Sequence, residues 1–97
     1  MPNFLLIGRD HKGKPERRAG AREAHLALAE RLYAEGTLLH AGALLDEEGG
    51  MAGSVVLYRA ESRETLDALL KDEPYIKANV WAEVEITEYR AAPFLTD

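Results

Sequence analysis

The stretch AGAREAHLALAERLYAEGTLLHAGALL, residues 19–45, decides the fold. Residues 19–35 are mostly strong helix formers, and Gly36 follows where a helix C-cap glycine is common. Residues 37–45 are then predicted to form a strand. At ~100° per residue, the helix has an apolar side and a charged side. The apolar side consists of Ala21, His25, Leu28, Ala29 and Leu32, so His25 is predicted to face whatever the helix covers.

Further elements lie on both sides of this stretch. Before the helix, the pattern of apolar residues, glycines and prolines predicts a strand buried on both faces at 4–7 and a polar loop at 9–18. After residue 45, it predicts a turn at 46–50, a strand at 51–60, a helix at 63–71, a strand at 80–89 and a tail outside the sheet at 91–97. Pro74 forbids a regular continuation of the second helix and biases Glu73 towards an extended conformation. In the last strand apolar residues alternate with polar ones, and Trp81 is in phase with the polar set.

The resulting order, β-α-β-β-α-β, predicts an α+β ferredoxin-like fold over residues 1–97 as a single domain. Four antiparallel strands would carry two helices on one face. The other face, expected to include Trp81, must be covered, and a second copy of the chain is the expected partner. A homodimer or higher homo-oligomer is therefore predicted.

Composition excludes several classes of function. The chain has 17 acidic and 12 basic residues, a net charge of −5, which argues against nucleic acid as the main partner. No apolar run approaches the ~20 residues of a membrane span, and no secretory signal is evident, so a cytoplasmic location without membrane contact is expected. The absence of cysteine removes disulfides and thiolate chemistry. The absence of glutamine as well suggests a thermophilic source.

Several segments resemble the YciI-like family in order and spacing. They are Ala24-His25-Leu26, LYAEGTLL at 32–39, Ala41-Gly42, GSVV at 53–56, AESRE at 60–64 and EPYIKA at 73–78. The resemblance implies a dimeric α+β barrel and a site built from a helix-1 histidine and the acid of an Asp-Pro segment. It also suggests muconolactone isomerase-like or dehydrochlorinase-like chemistry.

Carried onto this chain, the family's histidine is His25 and its acid is Glu73, where the family pattern has Asp. Because Glu is about one methylene longer, the neighbouring Asp72 is an alternative partner. The glycine that often follows the Lys-Ala pair is here Asn79, which tolerates left-handed backbone angles.

A histidine with a carboxylate partner can act as a general acid or base near neutral pH. The alternative is that His25 only packs and donates a hydrogen bond to the sheet. Ser54 is a candidate for binding a substrate oxygen, or else a turn residue beside Gly53. Arg22 is a candidate anion contact, and His40 either lines the same cavity or is an exposed or interface residue.

The loop at 11–18 carries four basic residues that would attract an acidic small molecule, although a solvated loop is the simpler interpretation. The spacing of the histidines, at 11, 25 and 40, disfavours a metal site, and no cofactor is expected.

Together with what the resemblance implies, these residues lead to the hypothesis of a small cofactor-independent lyase or isomerase that moves a proton on, or eliminates a leaving group from, a small anionic or aromatic substrate. His25 would be the base or acid, with Glu73 or Asp72 orienting it. The alternatives are a non-catalytic module that binds a small ligand or supports a partner protein, and a structural assembly unit. Fold alone does not separate them.

Overall fold

The computed structural model describes residues 1–95 and confirms the ferredoxin-like arrangement. The four strands form one antiparallel sheet in the order β2-β3-β1-β4. The elements are β1 (Asn3–Asp10), α1 (Pro15–Ala34), β2 (Leu38–Leu45), β3 (Met51–Arg59), α2 (Arg63–Leu70), α3 (Pro74–Lys77) and β4 (Trp81–Tyr89). A 3-10 turn at Pro93–Leu95 follows β4, and the last two residues of the tail lie outside the described part of the chain.

Burial alternates along β1, which shows that the helices cover one face of the sheet. Phe4 and Leu6 are buried, whereas Leu5 and Ile7 on the opposite face are half-buried. The prediction of a strand buried on both faces is therefore wrong within one copy of the chain. The core under the helices consists of Phe4, Leu6, Ala21, Leu32, Leu38, Val56, Tyr58, Ala60, Leu66, Leu70, Tyr75, Val80 and Trp81.

Helix α1 begins at Pro15, four residues before the predicted start. A proline suits the first helical position because its missing N–H has no intrahelical partner there and its φ is already helical. Glu16 in the first turn adds a favourable negative charge. Part of the predicted loop is therefore helical, and Arg18 lies on the buried side of α1, two turns before His25.

Trp81 lies on the face of the sheet that the helices cover. The prediction that it lies on the opposite, open face is therefore wrong. The pairing of β1 with β4 shifts register between Arg9 and Asp10, so Trp81 pairs with Asp10 while Glu83 pairs with Arg9. The extra residue in β4 reverses the alternation at this end of the strand. The indole packs over Gly8, where a Cβ atom would lie 2.6 Å from the ring.

A short helix that was not predicted, α3, separates α2 from β4. Leu70 ends α2, and Glu73 has φ −70° and ψ 118°, the extended conformation expected before Pro74. Pro74 then starts α3 rather than only ending α2. Asn79 has φ 55°, so the expected tolerance of asparagine for this backbone is confirmed. No helix within residues 1–95 is long and apolar enough to cross a membrane.

Candidate functional site

The site is centred on a buried hydrogen bond between His25 of α1 and Glu73 at the start of α3. The distance from His25 Nδ1 to Glu73 Oε1 is 2.5 Å, and the two residues are 8% and 2% exposed. Glu73 Oε1 also accepts a hydrogen bond from the backbone N–H of Tyr75 at 3.1 Å, and so caps α3. This second bond fixes the carboxylate in place against the imidazole.

Two aromatic rings hold the imidazole in position. Tyr75 stacks on His25 with a centroid separation of 3.8 Å and an interplanar angle of 8°. Trp81 meets both rings edge-on, at 6.5 Å from His25 and 5.7 Å from Tyr75. With Nδ1 bonded to Glu73, the ring can present only Nε2 to a ligand. Nε2 makes no hydrogen bond to residues 1–95.

A second polar group lies beside this pair and comes from α1, β1 and β3. Arg18 binds Asp10 through two bonds, Nε to Oδ2 at 2.7 Å and Nη2 to Oδ1 at 3.0 Å. Ser54 Oγ accepts from Arg18 Nη2 at 2.8 Å and from Trp81 Nε1 at 3.2 Å. The Arg18 guanidinium also lies 4.7 Å from the centre of the Tyr75 ring. Ser54 is therefore a buried acceptor within a strand, not a turn residue.

The electrostatic environment favours the uncharged phenols and the charged guanidinium. Burial raises the pKa of Tyr75, although the positive charges of Arg18 and Arg22 lower it in part. Burial raises the pKa of Tyr58 strongly, and the negative charge of Glu73 adds to that effect. Burial alone would lower the pKa of Arg18, but its hydrogen bond and charge contact with Asp10 outweigh this and raise it.

A cavity of about 220 Å³ opens beside these groups. Its polar lining comes from Arg18, Arg22, His25, Ser54 and Tyr75, and the rest is largely apolar. An engineered apolar cavity of about 150 Å³ binds benzene, so this volume suits a single-ring molecule with small substituents. The arrangement presents a histidine, two hydroxyl groups and two guanidinium groups to such a molecule.

Not every candidate residue from the sequence lies at this site. His25, Glu73 and Ser54 are buried together, and Arg22 lines the cavity from the exposed side of α1. Asp72 is exposed, and the carboxylate hydrogen-bonded to the imidazole is that of Glu73.

His40 is exposed and pairs with Leu57 on the opposite face of the sheet, away from the cavity. The structure does not support a place for it in the same cavity. Its position fits the alternative interpretation of an exposed or interface histidine.

Sequence reasoning missed Asp10 and Tyr75, and it considered Arg18 only as one of the basic residues of a loop. Gly13 and Pro15 indicate a loop, so the sequence assigns Arg18 and Asp10 to the loop at 9–18. Pro15 at a helix start was the signal that would have placed Arg18 on the face of His25. Residues 1–95 contain no group of three histidine, aspartate or glutamate side chains arranged to bind a metal ion.

Comparison with known proteins identifies the family. The sequence profile described as the YCII-related domain matches residues 3–90. The chain belongs to the YCII-related family. It is 31% identical over 93 residues to the protein YciI of Escherichia coli, an alignment that covers 90% of this chain and 95% of that one. It is 32% identical over 93 residues to an uncharacterised protein of Haemophilus influenzae, with the same coverage. The predicted resemblance to YciI-like proteins is thus confirmed.

A solved structure extends the comparison to an enzyme. The fold is similar to that of 5-chloro-2-hydroxyhydroquinone dehydrochlorinase from Burkholderia phenoliruptrix in complex with 2,5-dihydroxybenzoquinone. The TM-score is 0.85 at 26% identity, covering 95% of this chain and 97% of the other. An antibiotic biosynthesis monooxygenase shares the fold, with a TM-score of 0.58 at 16% identity, covering 96% of this chain and 100% of the other.

Proposed function

We propose that this protein is a cofactor-independent lyase or isomerase that transfers a proton on a small anionic or aromatic substrate. The observation that carries the proposal is the 2.5 Å hydrogen bond between His25 Nδ1 and Glu73 Oε1 beside a ring-sized cavity. His25 Nε2 accepts a proton from the substrate, and the carboxylate of Glu73 stabilises the imidazolium that forms. A leaving group departs with the electron pair, or the proton returns at another position of the substrate.

Charge favours an anionic substrate. The cavity contains one arginine already paired with a carboxylate, Arg18 with Asp10, and one histidine paired with Glu73. Arg22 also lines the cavity, and it forms no ion pair with residues 1–95. A carboxylate or phenolate on the substrate would complete the charge balance. Ser54 supplies a hydroxyl to a substrate oxygen.

Similarity to a dehydrochlorinase supports elimination as the first reaction to test. A panel of chlorinated hydroxyhydroquinones and small aromatic acids is incubated with the protein in deuterated water. Chloride release and incorporation of deuterium into the substrate are measured. His25→Ala is expected to abolish both activities, whereas His40→Ala, a matched exposed histidine on the other face, leaves them unchanged. An active His25→Ala variant rules out the proposed base.

The alternative is a non-catalytic module that binds a small ligand or supports a partner protein. The close stacking of His25 on Tyr75 and its burial favour this alternative. Panel members that bind at His25 in the wild-type protein without turnover would support it. A purely structural assembly unit would bind none of them.

We further propose that the chain is one domain and acts as a homodimer in a dimeric α+β barrel. The apolar residues of the open sheet face, Leu5, Ile7, Val55 and Leu57, are half-buried in one copy and suit a second sheet. Multi-angle light scattering of the purified protein tests this, and a monomer at micromolar concentration contradicts it. The cytoplasmic location and thermophilic source stay predictions.

A further inference from the structure

A basic groove lies next to the cavity described above. It has a volume of about 670 Å³ and is lined by the loop between β1 and α1 together with the β2–β3 turn. Met51 lines both the groove and the inner cavity, so the two spaces meet at this side chain. A ligand that extended past Met51 from the inner cavity would therefore enter the groove.

The groove differs in charge from the rest of the chain. Arg9, Lys12 and Lys14 line it, and none of their side chains forms a hydrogen bond or ion pair with residues 1–95. Asp10 in the lining is already bound by Arg18. Asp46 accepts two hydrogen bonds from backbone N–H groups of its own turn. The groove thus has three cations without an ion pair and two carboxylates, one of which, Asp10, is already paired with Arg18, in a chain whose net charge is −5.

Two hydrogen bonds of His11 hold the start of the basic loop in place. His11 Nε2 lies 3.2 Å from Asn79 Oδ1, and the backbone N–H of His11 donates to the carbonyl of Val80 at 3.1 Å. These bonds fix the start of the loop to the connection between α3 and β4. The cations that follow are therefore kept near the cavity rather than on an unattached segment.

The volume of the inner cavity limits the size of the substrate that it can hold. The inner cavity, about 220 Å³, is smaller than the roughly 300–1,000 Å³ of typical small-molecule sites. A substrate larger than one substituted ring that extends past Met51 meets positive charge there. We propose that the groove binds an anionic tail, a carboxylate or phosphate group, of a substrate whose ring occupies the inner cavity. This inference rests on the proposed function.

A matched ligand pair tests the proposal. The probes are 3-(2,5-dihydroxyphenyl)propionate and its neutral primary amide, with hydroquinone as the probe without a tail. Binding is followed through the NMR signals of the His25 ring at low ionic strength. The carboxylate is expected to bind about fivefold more tightly than the amide, as two partly screened ion pairs allow. The advantage shrinks in 0.5 M salt, a condition with a Debye length of about 4 Å.

Variants locate the charge that binds the tail. In Lys12→Gln/Lys14→Gln the carboxylate and amide should bind equally. The control Arg31→Gln/Lys71→Gln, which removes two exposed positive charges elsewhere, should keep the wild-type preference. A preference that survives in Lys12→Gln/Lys14→Gln but is lost in Arg22→Gln places the carboxylate in the inner cavity and overturns the proposal. Equal affinities in the wild-type protein also overturn it.

The hydroquinone probe separates this inference from the proposed function. If hydroquinone shifts the His25 signals while the tail adds nothing, the groove proposal fails and the cavity proposal stands. If none of the three probes affects His25, both proposals fail.

Discussion

Removal of the Glu73 carboxylate should destabilise the protein severely, because one oxygen serves two buried donors. Oε1 accepts from His25 Nδ1 at 2.5 Å and from the Tyr75 N–H at 3.1 Å. Each buried donor left without a partner costs about 1–3 kcal/mol. The hydrogen bond from the Tyr75 N–H is also the N-cap bond of α3, so the cost of losing the cap is already included. Glu73→Ala should therefore lower the free energy of unfolding by about 3–4 kcal/mol, a large share of the roughly 5–15 kcal/mol typical of a domain.

The assay is urea unfolding followed by circular dichroism, together with thermal melting. A loss of 3–4 kcal/mol corresponds to a fall in Tm of about 12–30 °C for a chain of this size. Glu73→Gln keeps an oxygen for both donors and loses only the charge, so it should cost about 1 kcal/mol. Asp72→Ala, an exposed neighbouring acid, should change stability by less than about 0.5 kcal/mol. The reasoning is refuted if Glu73→Ala is as mild as Asp72→Ala, or if Glu73→Gln costs as much as Glu73→Ala.

Three further substitutions test the surroundings of the site. Ser54→Ala removes the acceptor of the Trp81 indole N–H and should lower the free energy of unfolding by about 1–3 kcal/mol. Because Trp81 is the single tryptophan, its fluorescence reports both the altered surroundings of the indole and the unfolding of the variant. An emission spectrum identical to that of the wild-type protein would contradict the contact. Gly8→Ala places a Cβ atom 2.6 Å from the indole and should destabilise the protein by about 1–3 kcal/mol. Gly20→Ala, in α1 with open space around it, should instead stabilise the protein by up to about 1 kcal/mol in the same urea assay. Effects of equal sign would be evidence against the packing of Trp81 over Gly8. Burial raises the pKa of Tyr58, so the stability that its neutral phenol contributes is complete below pH ~10 and is lost as pH rises further. Tyr58→Phe should therefore reduce the loss of stability at alkaline pH by up to about 1.4 kcal/mol per pH unit. An unchanged dependence of stability on alkaline pH would show that Tyr58 is not the source of that loss.

The sequence was sufficient to predict the main elements and the position of His25. Helical periodicity placed His25 on the apolar side of α1, and the structure buries it there. Pro74 predicted the extended backbone of Glu73, which directs the chain from α2 back towards α1. The same residue also starts α3, which the sequence did not reveal because a helix of four residues is too short to show a period.

Two errors changed the environment assigned to a side chain although the elements themselves were predicted, one through the start of a helix and the other through the phase of a strand. Pro15 starts α1 where it was expected to belong to a loop, and this places Arg18 on the face of His25. An extra residue in β4 opposite β1 moves Trp81 to the face under the helices. A shift of one residue in a strand exchanges its two faces, and periodicity alone does not locate such a shift.

Contacts between distant parts of the chain were beyond sequence reasoning for a different reason. Arg18 and Ser54 are 36 residues apart, and His25 and Glu73 are 48 apart. Either pairing requires the strand order, and the choice between Glu73 and Asp72 requires the direction of the backbone before Pro74. Resemblance to the family pointed to this segment, but only the geometry selected the residue.

Stability and the proposed chemistry both involve the same carboxylate, and this determines which variants are informative. Glu73 both caps α3 and bonds His25, so a variant without the side chain would lose the proposed activity for two reasons at once. Glu73→Gln separates them, because its amide oxygen still accepts from the Tyr75 N–H while the negative charge that stabilises an imidazolium is gone. If His25 is the proposed base, Glu73→Gln should lose turnover far out of proportion to its loss of stability. If His25 only packs, binding and stability should fall together.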